Sequence, residues 1–282
     1  MKFYENLSFD EERALYGERY IYIRDCAFDG PADGESALKE AGEIRAENCY
    51  FNLRYPFWHC DKVEINNCEM TENCRAALWY STDIDIDNCR LHGIKALREC
   101  KGVSIKSTDV ISPEFGWFSS DITIKNSKFV SEYFMLRAKN LDFKDVDFKG
   151  KYSFQYIENS VFENCNFDTK DAFWHSKGVT VRNSVVKGEY LAWYAEDLTF
   201  ENCTLIGTQP LCYCKNLRLV NCKMIDCDLS FEKSSVEAEI VGYVDSVKNP
   251  ESGSISADSI GRIITESGNC KIIEKSKENA TK

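Results

Sequence analysis

All five tryptophans of the chain, Trp58, Trp79, Trp117, Trp174 and Trp193, fall in one column of a repeating pattern. The residues that follow them are His59, Tyr80, Phe118, His175 and Tyr194, so two of the three histidines lie beside the indoles. Arg98-Glu99, Leu136-Arg137, Gln155-Tyr156 and Cys212-Tyr213 complete the two columns. A column that admits Arg and Gln does not point into an apolar core. Such a surface has three readings. Flat aromatic faces bind the apolar faces of sugars while Arg, Glu and His supply hydrogen bonds, which gives an oligosaccharide groove. Trp, Tyr and Arg are also the usual anchors of protein interfaces. Aromatic side chains stacked on neighbouring strands stabilise a sheet with no ligand at all. The candidate ligand-binding residues are therefore Trp58, His59, Trp79, Tyr80, Arg98, Trp117, Arg137, Trp174, His175, Trp193 and Tyr194.

Catalysis asks for more. Acid and base chemistry on a glycosidic bond needs two carboxyl groups ~5 to 9.5 Å apart on one accessible surface. Glu99 and Glu114, with Arg98 beside them, are the candidates near the aromatic columns. Glu64, Asp85 and Asp87 form a second acidic group, but Lys106, Lys125 and Lys144 continue the Asp87 column, the pattern of a solvated charged face. His92 stands alone and receives no role. There is no Ser/His/Asp spacing and no phosphate-cradling Gly loop, so no cofactor is expected.

These side chains are positioned by a repeat. Taking the Asn of Leu198-Thr199-Phe200-Glu201-Asn202-Cys203 as marker, equivalent positions are Asp25, Asn48, Asn67, Asn88, Ser107, Asn126, Asp145, Asn164, Asn183, Asn202 and Asn221. Their intervals are 23, 19, 21 and then 19 seven times over. A period this constant means one architectural unit repeated. Apolar residues lie four and two places before the marker, as Ile122 and Ile124 show, and a third lies three places after it. Alternation of this kind is a short strand with one buried face. Asn suits the break because it tolerates the left-handed backbone region, and stacked Asn amides can hydrogen-bond from one repeat to the next at what is expected to be a buried bend. Nineteen residues are too few for a βαβ unit, which takes about 30. The solution is an all-β chain of about eleven coils, each strand pairing with its equivalent one turn away in a parallel β-helix.

The register spans 15–227 without a Pro, Gly or Ser linker, which predicts one domain. Residues 1–14 are expected to form an N-terminal cap with a short helix over Phe9–Leu15, residues 228–274 a C-terminal cap, and 275–282 a frayed tail. Gly30-Pro31-Ala32-Asp33-Gly34 is an insertion and surface loop, and a two-residue insertion lies near Glu72-Asn73-Cys74.

A formal charge of -11 and a pI near 5.0 disfavour nucleic acid and anionic membrane as partners. No apolar run reaches transmembrane length, and the first residues lack the apolar core of a signal peptide. Of the fourteen cysteines, seven follow the marker directly (Cys26, Cys49, Cys68, Cys89, Cys165, Cys203, Cys222), where Ser, Thr and Val stand in other repeats. Cys there acts as a small buried residue, which predicts free thiols and a cytoplasmic location. Cys212-Tyr213-Cys214 with Cys222 and Cys227 has the look of a zinc cluster, but the register puts Cys214 and Cys222 inside and Cys212 outside, so no metal is expected.

The segments Phe28 to Glu40 (FDGPADGESALKE), Leu53-Arg54-Tyr55-Pro56-Phe57-Trp58-His59 and Tyr243 to Pro250 resemble the bacterial domain-of-unknown-function family 3737. The resemblance implies a right-handed β-helix of the pectate-lyase-like superfamily, and with it a handedness that the period does not give. It implies no activity. Pectate lyases use clustered carboxylates for calcium with an Arg base, and polygalacturonases an Asp cluster; neither motif aligns with residues of this chain.

Overall fold

A computed structural model describes residues 1–276. The chain divides into two compact units, Met1–Asp147 and Phe148–Lys282. Each is a right-handed parallel β-helix, and the described residues make about 14 coils rather than the eleven expected, because the ladder runs on at both ends.

In the first unit the ladder runs Lys2↔Ile21, Ile21↔Ile44, Ile44↔Val63, Val63↔Ile84, Ile84↔Val103 and Val103↔Ile122, all parallel. Residues four and two before the marker are the buried ones: Ile44, Ala46, Val63, Ile65, Ile84 and Ile86 are at most 2% exposed. The apolar position after the marker piles rings on the interior, with Phe28 and Phe51 stacked at 4.8 Å and 8°. The second unit repeats the strand scheme through Val179↔Leu198, Thr199↔Arg218 and Leu217↔Val236, and a second interior column, ten places before the marker, stacks Phe154 on Phe173 at 4.9 Å.

Every marker has left-handed φ, from 49° at Ser107 and Asn126 to 56° at Asp145. The marker side chains are exposed, not buried as expected: Asn67 Nδ2 donates to Asn48 Oδ1 (2.6 Å) and Asn221 Nδ2 to Asn202 Oδ1 (2.8 Å) on the surface. The buried side of the bend belongs to the next residue. Cys68 Sγ donates to the Asn66 carbonyl (3.2 Å) and accepts the Cys49 N–H (3.3 Å), while Ser184 Oγ does the same for Arg182 O and Cys165 N. Cys, Ser and Thr share this column because each places a small donor and acceptor against backbone groups that are costly to leave unpaired.

The ends differ from expectation. The segment read as an N-terminal cap forms strands Lys2–Glu5 and Ser8–Phe9, which pair in parallel with Arg19–Arg24 and Ala27–Phe28. Turns replace the expected helix over Phe9–Leu15. Asn6, with φ 55°, is a further marker; its coil escapes the pattern because Lys2 stands where an apolar residue is due. Past Asp228 the ladder continues in shorter steps, Val236↔Gly253 and Ser254↔Lys271. Residues 277–282 of the expected tail lie outside the described residues.

Candidate binding surface

Eight places before each marker the backbone is again left-handed, with φ 59° at His59, 57° at Tyr80, 52° at Glu99, 56° at Phe118 and 56° at Arg137. Bulky residues seldom adopt this region. The bend imposes it in coil after coil, and it turns this row outward. Tyr80 is 41% and Phe118 47% exposed, whereas the preceding row, including Trp79, Arg98 and Trp117, is half-buried.

In the first unit Trp58 stacks on Trp79 (6.0 Å, 16°) and Tyr80 lies parallel to Trp79 (5.2 Å, 14°). Arg98 then replaces a ring. Its guanidinium sits 5.4 Å from both the Trp79 and the Trp117 centroids and 5.9 Å from Phe118, a cation held between aromatic faces. Glu99 Oε1 lies 3.3 Å from Arg98 Nε and accepts from Trp79 Nε1 at 3.4 Å, so this carboxylate is drawn back towards the indole row. Glu114 Oε2 lies 3.9 Å from Arg98 Nη1 and 3.7 Å from Lys95 Nζ. The two carboxylates proposed for catalysis therefore share one guanidinium. Arg137 is exposed in the same outer row.

The second unit carries a closed pile. Tyr156 and His175 are 4.8 Å apart and tilted by 7°, His175 and Tyr194 4.9 Å and 7°, and Tyr194 and Tyr213 4.9 Å and 12°. Beneath it Trp174 and Trp193 stack at 5.5 Å and 4°. Rings stacked in this way cover one another's faces and offer mainly edges.

The inner row has a property that its sequence disguises. Trp174 Nε1 donates to Tyr190 O (2.6 Å), Trp193 Nε1 to Gln209 O (2.8 Å) and Gln155 Nε2 to Asp171 O (3.1 Å). In the first unit Trp117 Nε1 donates to Tyr133 O (3.0 Å). Trp and Gln occupy one column because each carries an N–H at the end of a flat group, long enough to reach a carbonyl sixteen residues on. Trp58, followed by a coil with a two-residue insertion, has a buried Nε1 with no hydrogen-bond partner among the described residues; the Lys39 ammonium lies 4.4 Å from its ring. Cys212, in the same column, is 1% exposed and not outside as expected. It is too short to reach outward, and its Sγ lies against Pro210 O (3.6 Å) and Leu229 O (3.7 Å).

Lys39 and Lys95 were not singled out from sequence. Each stands nineteen residues before the group it meets, Trp58 and Glu114, so the repeat interval itself is the signal that finds them.

The second acidic group lies elsewhere on the first unit, around a cleft of ≈ 690 Å³ lined by Arg45, Glu64, Asp83, Asp85, Asp121 and Thr123. Its charges partly offset one another, Arg45 with Glu64 (4.0 Å) and Lys62 with Glu43 (3.2 Å), while Asp87 meets Lys106 (3.4 Å). His92 Nε2 contacts Asp109 Oδ2 at 3.0 Å. Among the described residues no three His, Cys, Asp or Glu side chains are grouped to hold a metal ion.

Short coils stacked through parallel ladders, with an aromatic row turned outward, define a parallel β-helix repeat protein. The chain belongs to the family described as Protein of unknown function (DUF3737), whose model matches residues 2–277. Comparison with curated proteins gives no match. Among solved structures the chain is similar to the mannuronan C-5 epimerase AlgE4 A-module of Azotobacter vinelandii (9% identity, 96% of this chain and 85% of that one, TM-score 0.30). It is similar too to PfbA, a surface adhesin of Streptococcus pneumoniae (12%, 91% and 70%, TM-score 0.31), and to the plasmid-mediated fluoroquinolone resistance protein QnrB1 (12%, 83% and 91%, TM-score 0.22). At this depth none of the three bears on what the chain binds.

Proposed function

We propose that the first unit binds an oligosaccharide on its outward aromatic row, without catalysis. One observation carries this reading: Glu99 breaks the row of rings, and its carboxylate is drawn back onto Trp79 and Arg98. The row of rings is thereby interrupted between Tyr80 and Phe118, which stand two coils apart, ~9.6 Å at the spacing of paired strands. A sugar ring has the thickness for that slot, and Glu99 and Arg98 at its base supply an acceptor and a fork of donors. Two carboxylates on one cation suit holding a polar ligand better than an acid facing a base.

The test is glycan-array binding by the full chain and by Glu99→Phe, which fills the slot with the side-chain type found at neighbouring positions of the row. Wild type should retain at least one oligosaccharide and E99F should lose at least tenfold, with an unchanged circular dichroism spectrum. Retention by neither protein, or by both equally, sinks the reading.

A protein partner is the second reading, and the closed pile Tyr156, His175, Tyr194 and Tyr213 favours it for the second unit, because covered faces leave edges and hydroxyls for a flat partner. Replacing His175 and Tyr194 by Ser should then leave glycan retention intact. A reducing compartment, the cytoplasm, suits thirteen buried free thiols.

A further inference from the structure

The repeat interval departs from nineteen at only two places between Asp25 and Asn221, the insertions after Asp25 and near Glu72. A coil of nineteen residues closes without them, and each added residue must be ordered at a cost in backbone entropy. The structure brings both insertions to the rim of one cleft of ≈ 470 Å³ in the first unit. Insertions in solenoids collect on the face that binds.

The first insertion is tied down against Asp10. Ala32 N donates to Asp10 Oδ2 at 2.8 Å, and a Cβ on Gly30 would stand 2.4 Å from Asp10 Cγ, so only glycine lets the loop lie flat there. Asn52 ties the two insertions together: its Nδ2 donates to Asp29 Oδ1 (2.7 Å), and its Oδ1 accepts from Asn73 Nδ2 (3.0 Å). Arg54 is held by Asp33 (2.9 Å) and Glu35 (3.4 Å), which offset its charge. Arg75 is exposed and makes no ion pair among the described residues, and Ile94, 43% exposed, adds an apolar patch to the lining.

We propose that this cleft is a second binding site, distinct from the aromatic row, for a neutral polyhydroxylated ligand of one or two sugar rings. Planar amide, carboxylate and guanidinium groups offer donors and acceptors side by side, as vicinal hydroxyls require, and Ile94 can meet a C–H face. The volume lies within the range of small-molecule sites. Fixed loops and side chains already bonded to one another lower the ordering cost of binding.

The test is an NMR titration of the full chain with glucose, galactose, mannose and N-acetylglucosamine in turn, following the side-chain amides of Asn52 and Asn73. One sugar should shift both saturably. Arg75→Gln and Glu99→Phe are then compared: R75Q should weaken that binding at least tenfold with an unchanged melting temperature, and E99F should leave it unaltered, which separates this site from the row. Asn73→Ala, also at an exposed position, should weaken it as R75Q does. The proposal is overturned if no sugar moves these resonances, if inorganic phosphate moves them and the sugars do not, or if R75Q and N73A bind as wild type.

Discussion

The indole N–H of Trp193 donates to the carbonyl oxygen of Gln209, 2.8 Å away and sixteen residues on. The bond pins the bend that opens the next coil, and Trp174 pins the one before it through Tyr190 O. Phe in place of Trp193 keeps a flat ring but removes the donor. A hydrogen bond of this kind is worth about 1 kcal/mol net, more if the carbonyl stays dry. Trp193→Phe should therefore lower the urea midpoint by an amount equal to about 1 to 2 kcal/mol, and Trp193→Ala by more because the stack on Trp174 goes with it. Equal midpoints for W193F and wild type would show that the bond contributes nothing.

At Asn202 the backbone has φ 54°, and the side chain links Asn183 Oδ1 (3.2 Å) and Asn221 Nδ2 (2.8 Å). These links are exposed and contribute little; the backbone angle is the larger demand. Gly meets that demand freely, whereas a β-branched residue pays roughly 1 to 2 kcal/mol for the left-handed region. Denaturant midpoints should fall in the order wild type, Asn202→Gly, Asn202→Ala, Asn202→Val, with the last step the largest. A valine variant as stable as the glycine one would contradict the bend geometry.

The period exposed the coil because the inward strand positions are apolar in nearly every repeat, with Ser160 an exception, and the backbone breaks recur at Asn or Asp, with Ser107 an exception. Asn88 and Cys89 declare, by their types, one residue that needs a left-handed backbone and one that needs a small buried side chain. The first coil was hidden because Lys2 and Tyr4 stand at positions that elsewhere are apolar, yet backbone pairing with Ile21 and Ile23 does not require inward side chains to match. Cys212 misled for the opposite reason: its column faces outward only when the side chain is long enough to get there. Which rings would stack was not legible either. Residue type placed Tyr80, Glu99 and Phe118 in one row, but the retreat of Glu99 onto Trp79 and Arg98 depends on side-chain torsions that no spacing encodes.

Asp171 gives a prediction in pH. The residue is 8% exposed, and burial raises its carboxyl above the ordinary 3.8. A raised acid binds its proton more tightly in the fold than in the unfolded chain, so its favourable contribution is complete below the ordinary value and is lost as pH rises through the folded value. At neutral pH the charged form is therefore a burden, partly relieved by Lys170. Asn has the same shape, carries no charge and accepts the φ of 52° found there. Asp171→Asn should be more stable than wild type at pH 7, and the difference should shrink towards pH 4 and below. A difference that is constant with pH, or reversed, would assign the effect to packing rather than to ionisation.

The thiols separate by burial. Thirteen of the fourteen are buried, and Cys270 alone is partly exposed. Burial pushes Cys60, Cys74, Cys100 and Cys214 up to about 12, so they stay protonated at any pH at which a disulfide reagent is used. Cys270 is raised as well, by partial burial with Glu237 nearby, which slows but does not block its reaction. Native protein at pH 8 should therefore release one equivalent of chromophore from Ellman's reagent, slowly, and fourteen in guanidinium chloride. Cys270→Ser should abolish the native signal and leave thirteen in denaturant. Several fast equivalents from the native protein would mean that the interior bends open on the timescale of the assay, and that the columns following the markers are not the closed interior described above.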